Sequence, residues 1–190
     1  MEPDNRSNIL TSALQLFAAH GYEGVGIQRI VEAARVTKPT LYHYFGSKQG
    51  LLAALLDTHY DQLHQALVVA ATYHGDLPVT LNTITSAYFR FANAHPVFYR
   101  MQLAMWFAPV DSEPYKLTVP LRQRQGELIK NVFRQAATRL DDGQERDRIY
   151  CATFLGMIHT YIGMALNGHI VLNEVIANRA VYQFMHGIFP

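Results

Sequence analysis

The chain has 190 residues and is short of several things. A single cysteine, Cys151, rules out an intramolecular disulfide and argues against a cysteine zinc site. Set in an apolar run, it reads as a small buried hydrophobe. Charge is sparse too: 16% of the residues are Asp, Glu, Lys or Arg, and the formal net charge is +1. No whole-molecule basic field is there to attract a polyanion, so phosphate binding must come from a local arrangement of donors. Alternating strand patterns, repeats and low-complexity tracts are missing. Gly21, Gly24 and Gly26 lack dinucleotide-fingerprint spacing and follow no strand. The nine histidines include no His-x-x-x-His pair, and His59 and His64, five apart, share a helix face poorly, so no metal and no cofactor is expected. No nucleophile–base pairing, carboxylate dyad or phosphate loop supports an enzyme. The segment MEPDNRSNIL has neither a signal-peptide core nor a transit-peptide charge bias, which predicts a cytoplasmic protein.

One further absence could mislead. Between Arg148 and Glu174 there is no Asp, Glu, Lys or Arg, a stretch long enough to span a membrane. Thr153, His159, Thr160, Asn167 and His169 interrupt it, and Gly168 offers a helix stop. The reading is therefore a helix sandwiched between its own domain and a partner subunit, with no membrane partner.

What is present is helical periodicity. Ile9, Leu10, Ala13, Leu14, Phe17 and Ala18 recur at helical spacing, and Gly21 is placed to end that helix. Ile27, Ile30, Val31 and Ala34 form one apolar stripe on a short second helix. A third starts around Thr37, which can cap it, with Pro39 near its first position, and ends at Gly46. Ser47 caps a longer helix that stops near Gly75. Further helices are predicted over about 77–94, 96–107, 113–139, 145–167 and 170–188, punctuated by Pro78, Pro96, Pro109 and Asp141-Asp142-Gly143. The fold class is all-α.

The second and third helices, joined by a tight turn at about 26–45, have helix-turn-helix dimensions, and such a motif lays its second helix in the major groove. Leu41 and Phe45, four apart, face inward. Lys38, Pro39, Tyr42 and His43 face the opposite way, flanked by Thr40 and Tyr44. Hydroxyl, imidazole and ammonium groups suit phosphate oxygens, while the apolar atoms of Pro39, Thr40 and Tyr42 suit a thymine methyl. Ser47 and Lys48 offer a helix start and a positive side chain to phosphate. The candidate DNA-binding set is Gln28, Arg29, Thr37, Lys38, Pro39, Thr40, Tyr42, His43, Tyr44 and Lys48.

The stretch ILTSALQLFAAHGYEGVGIQRIVEAARVTKPTLYHYFGSKQGLLAALL resembles the DNA-binding domain of the TetR family of bacterial transcriptional regulators, most specifically in VTKPTLYHYFGSKQGLL. The resemblance implies that Thr40, Tyr42, His43, Tyr44 and Lys48 occupy DNA-contacting positions. It also implies a turn that often carries glycine where this chain has Arg35, and a capping Thr or Ser where it has Gly26. An arginine in a left-handed turn costs about 1 kcal/mol relative to glycine.

The implied architecture is a three-helix DNA-binding domain over 1–50 and a larger ligand-binding and dimerisation domain over 51–190. The segment Ala87 to Pro109 is dense in aromatics and methionine. Tyr88, Phe91, Tyr99, Met105 and Trp106, with His159 and Tyr161 as polar anchors, are the candidates to line a pocket for a small apolar or aromatic effector. Ala152, Gly156 and Gly163 allow close helix approach, and with Val175, Phe184 and Ile188 they form the candidate face of a two-fold four-helix dimer. The function implied is a dimeric, ligand-responsive repressor of a palindromic double-stranded DNA operator, released when effector binds. Two alternatives stay open: a helical small-molecule-binding protein that kept a helix-turn-helix, and a DNA-binding regulator without a small effector.

Overall fold

The computed structural model describes residues 4–137 and 143–187, and every regular element among them is an α-helix. The first four helices start and stop on local chemistry. α1 (Asn5–His20) begins where the Asp4 carboxylate accepts from the Arg6 N–H, and ends at Gly21, whose N–H bonds the Phe17 carbonyl. α2 (Ile27–Ala34) starts at Gly26 with no side-chain cap. It ends at Arg35, which sits in the left-handed region at φ 55°. The Val36 N–H then bonds the Val31 carbonyl at 3.0 Å, the tight closure that glycine normally supplies.

α3 (Lys38–Phe45) is capped by Thr37, carries Pro39 in its first turn, and stops at Gly46 with φ 71°. Ser47 then opens α4 (Lys48–Ala70), its hydroxyl accepting from the Gly50 N–H at 2.9 Å. Gly50 is required by close approach: a Cβ there would lie 2.0 Å from the Phe45 carbonyl oxygen.

Beyond it come α5 (Leu77–Ala94), α6 (Pro96–Trp106), α7 (Glu113–Ala136), α8 (Gly143–Leu166) and α9 (Glu174–His186). The last helix begins four residues later than its periodicity predicts. Gly168, at φ 76°, breaks the chain after α8, and the Asn173 side chain caps α9 by accepting from the Ile176 N–H. α7 ends at Ala136, three residues before the expected 139, and the turn expected from Asp141 falls in residues 138–142, which lie outside those described.

The helices pack as two compact units. One holds the chain up to Asp61 together with Val97–Pro120. Its core contains Ile9, Ala13, Phe17, Ile30, Leu41 and Leu51, all buried. In the same unit Phe98 of α6 stacks on His59 at 4.2 Å and meets Tyr60 edge-on at 5.8 Å. The other unit holds Gln62–Pro96 and the chain from Leu121 onward. There α5 packs against α8 and α9. The Asn93 amide donates to the Leu172 carbonyl at 3.2 Å, tying α5 to the segment before α9.

Candidate nucleic-acid interface and cavity

α3 divides its rings between two sides. Leu41 is fully buried, whereas its neighbours Tyr42 and Tyr44 are 46% and 42% exposed. Lys38, Pro39 and His43 are exposed and Thr40 is partly so. Phe45, expected to face inward, is half-buried at the rim, with the Arg6 guanidinium 5.6 Å above its ring. His43 and Tyr44 meet edge-on at 5.3 Å, which limits how far either ring can swing.

Thr37 is exposed, but its hydroxyl oxygen accepts from the Thr40 N–H and lies 2.8 Å from the Thr40 hydroxyl. Its first task is starting the helix. Gln28 and Arg29 are exposed on α2, and both already have partners. The Gln28 amide donates to Glu32 at 2.6 Å, and the Arg29 guanidinium lies 2.7 Å from the His20 ring nitrogen.

Lys48 is held by a residue that the sequence does not single out. Its ammonium lies 4.0 Å from the centroid of the buried Tyr22 ring, a cation–π contact. The Tyr22 hydroxyl in turn donates to the Glu113 carboxylate. Burial, then the Glu113 bond, raises the pKa of that phenol, so it stays protonated and remains a donor. Nothing in the spacing of Tyr22 and Lys48 reveals this pairing, because two helices, α2 and α3, lie between them.

The exposed set of α3 can do what a duplex requires. Hydroxyl, imidazole and ammonium tips reach phosphate oxygens, and the carbon faces of Pro39, Thr40 and Tyr42 suit thymine methyls.

The second unit contains a cavity of about 930 Å³ bordered by the end of α7, one side of α8 and the end of α9. Phe133, Met157 and Phe184 supply apolar wall, and Tyr150, Tyr161 and Gln183 supply polar edges. The Phe133 and Phe184 rings lie 6.1 Å apart, and the Tyr161 hydroxyl donates to Gln183 at 3.3 Å. Arg146 also borders the cavity. Its guanidinium donates at 3.3 Å to Asp147, a buried carboxylate that Arg134 approaches at 3.8 Å from its other oxygen.

Of the residues expected to line an effector pocket, Tyr161 alone borders this cavity. Tyr88, Phe91 and His159 are buried core of the same unit. The Tyr88 hydroxyl donates to Gln125 at 3.3 Å, and its ring meets His159 edge-on at 5.7 Å. Complete burial pushes the His159 pKa down to about 3, so the imidazole is neutral. Tyr99, Met105 and Trp106 belong to the other unit, where Met105 borders a cavity of about 240 Å³. Large rings fill interior volume wherever helices meet, which is why aromatic density alone does not locate a pocket.

The expected dimer residues divide as well. Ala152 and Gly156 are exposed, Gly163 partly so, and Val175 is 60% exposed. Phe184 instead turns inward, 5.3 Å from Phe154, because it continues the buried side of α9 formed by Ala177, Ala180 and Val181. Ile188 lies outside the described residues. Cys151 is buried, its thiol donating to the Gly126 carbonyl and raised to about 11 by burial, as befits a small core residue. By length and composition α8 could cross a membrane, yet its apolar stretch is 28% buried within this chain alone.

Comparison with known proteins agrees with this geometry. The family described as bacterial regulatory proteins, tetR family, matches residues 9–55. The transcriptional repressor NemR of Escherichia coli K12 is 38% identical over 66 residues, 35% of this chain and 33% of that protein. The transcriptional activator FasR of Mycolicibacterium smegmatis is 32% identical over 98 residues, 52% of this chain and 45% of that one. The matches thus span half or less of these relatives. Two solved structures extend the likeness in fold to nearly the whole chain. A TetR-family regulator from Bordetella parapertussis superposes with a TM-score of 0.80 at 21% identity, covering 97% of this chain and 96% of its own. FadR from Bacillus subtilis, in complex with stearoyl-CoA, superposes with a TM-score of 0.77 at 16% identity, covering 96% and 98%.

Proposed function

We propose that the chain, whose residues 9–55 match the tetR family of bacterial regulatory proteins, is a cytoplasmic, DNA-binding transcriptional regulator of that family acting as a homodimer, most simply a ligand-responsive repressor. The observation that carries this reading is α3: two half-exposed tyrosines beside a fully buried leucine, on a helix fixed by Thr37 at one end and Gly46 at the other. The domain organisation of the proposal is a DNA-binding domain over 1–50 and an effector and dimerisation domain over 51–190.

Dimerisation explains the open face of the last two helices. Ala152, Gly156, Gly163 and Met164 of α8, with Val175 of α9, leave an apolar surface with little side-chain bulk. A Cβ added at Gly156 or Gly163 would meet nothing within 4 Å in this chain, so these glycines answer no internal constraint. A second copy related by two-fold symmetry would cover that face and pair two recognition helices for a palindrome. It would also account for a helix apolar on nearly every side without a bilayer. In this mechanism a small apolar or aromatic effector in the cavity of the second unit shifts the dimer towards a recognition-helix separation that no longer fits two half-sites. No chemical step is assigned to any side chain.

Selection of bound sites from random duplex DNA tests the reading. The expected product is an inverted repeat whose half-sites lie about one helical turn apart. Recovery of no enriched sequence, with folded protein in excess, would remove the assignment.

A further inference from the structure

Among the described residues, Arg146 is the only charged one bordering the cavity of the second unit. Its surroundings decide whether that charge is available. The Asp147 carboxylate is buried and serves two guanidiniums, Arg146 at 3.3 Å and Arg134 at 3.8 Å, so these three groups together carry a net charge of +1 that no other described carboxylate is seen to offset. Nearby Glu145 faces Arg148 at 4.0 Å, and Glu127 faces Lys130 at 2.7 Å, so neither supplies the missing anion to Arg146. Asp147 also holds the guanidinium in place, which lowers the ordering cost of binding through it. Phe133, Met157 and Phe184 border the same cavity and give it an apolar wall with no charge.

We infer that this cavity takes an amphipathic monoanion, its carboxylate or phosphate head on Arg146 and its apolar body against Phe133, Met157 and Phe184. The inference rests on the reading of this cavity as the effector site, and sharpens the ligand class from apolar to apolar with one acidic end. A guanidinium binds either headgroup through paired N–H donors, and the partly dry setting strengthens the bond relative to open water.

The test uses the full chain and the neutral fluorescent probe N-phenyl-1-naphthylamine, displaced by dodecanoate, dodecyl phosphate or dodecanol. In the native protein both anions are expected to compete at concentrations about tenfold lower than the alcohol, as for a hydrogen bond to a charged group. Arg146→Gln should erase that preference, each competitor being compared with the probe's own affinity for the variant, and Arg146→Lys, which keeps the charge, should recover part of it. Thr153→Trp, at another residue bordering the cavity, should abolish probe fluorescence. The inference is overturned if dodecanol competes as well as the anions, if the preference survives Arg146→Gln, or if the probe still binds the Thr153→Trp protein. The two headgroup arms distinguish a carboxylate ligand from a phosphate one. Failure of the effector reading has a different signature: the anion preference is present, but no anion changes operator affinity.

Discussion

α3 and α8 both expose apolar surface, and they do so in different ways. On α3 the exposed groups are Tyr42 and Tyr44, each an apolar ring with a hydroxyl at its tip, beside the polar Lys38 and His43. Such side chains remain hydrated until a partner, in the proposed function a duplex, replaces the water. On α8 the exposed groups include Ala152, Gly156 and Met164, none with a hydrogen-bonding side chain. The first surface suits a partner that comes and goes, and the second suits one that stays. Exposed hydrophobicity is therefore informative only when the polar ends are examined with it.

The largest effect that would separate the two surfaces is expected at Gly156. In this chain there is room for a side chain at that position, so Gly156→Arg should fold, yet it places a charge in the proposed seam. Sedimentation should show a monomer at micromolar concentration. Operator affinity should fall by about 100-fold or more, since two linked half-site contacts become one. An unchanged dimer would show that the open face of α8 is not the interface.

On α3 the adjacent residues Leu41 and Tyr42 should separate stability from binding. Leu41→Ala is expected to lower stability by about 2–5 kcal/mol, because it opens a cavity in the core. Tyr42→Ala should leave thermal stability nearly unchanged and reduce operator affinity by about 10- to 100-fold, or 1–3 kcal/mol. Equal melting losses from both would place Tyr42 in the core and not at the groove.

The buried side of α8 predicts a pH dependence that its open side does not. His159 titrates near 3 in the folded chain and near its ordinary 6.5 when unfolded. The unfolded state therefore binds one more proton between those values. Stability should fall as pH drops from about 6.5 towards 3, by about 1.4 kcal/mol per unit from this group. His159→Gln should remove that share of the slope, as read from denaturant melts at several pH values. A slope identical to that of the native protein would mean that the imidazole is not buried neutral.

The smallest effect concerns the turn between α2 and α3. Arg35→Gly relieves a left-handed non-glycine residue and should stabilise the protein by about 1 kcal/mol. Its effect on operator affinity then tells whether the exposed guanidinium also reaches phosphate.

Much of the first unit could be read directly from residue order. The Thr37 cap, Pro39, the stops at Gly21 and Gly46, and the inward Leu41 all depend on neighbours within a turn or two. The awkward placement of Arg35 was expected from the family resemblance, which implies a glycine at that turn. The support of Lys48 by Tyr22, and of Tyr22 by Glu113, could not be read, since it joins groups up to 91 residues apart. The second unit was less legible. The aromatic segment 87–109 is divided between the two units and supplies no wall of the larger cavity, for helical spacing shows which residues share a face but not what that face meets.

By itself, then, the sequence determined the all-helical class, the boundaries of the first three helices and which rings of α3 turn outward. These rest on backbone conformational preference and short-range side-chain caps, which act before the chain is compact. Tertiary structure alone decided that Phe184 faces inward, that the cavity is walled by α7, α8 and α9, and that Asp147 presents Arg146 at its edge. Those outcomes depend on which helix covers which, a choice set by the joint packing of surfaces far apart in the chain.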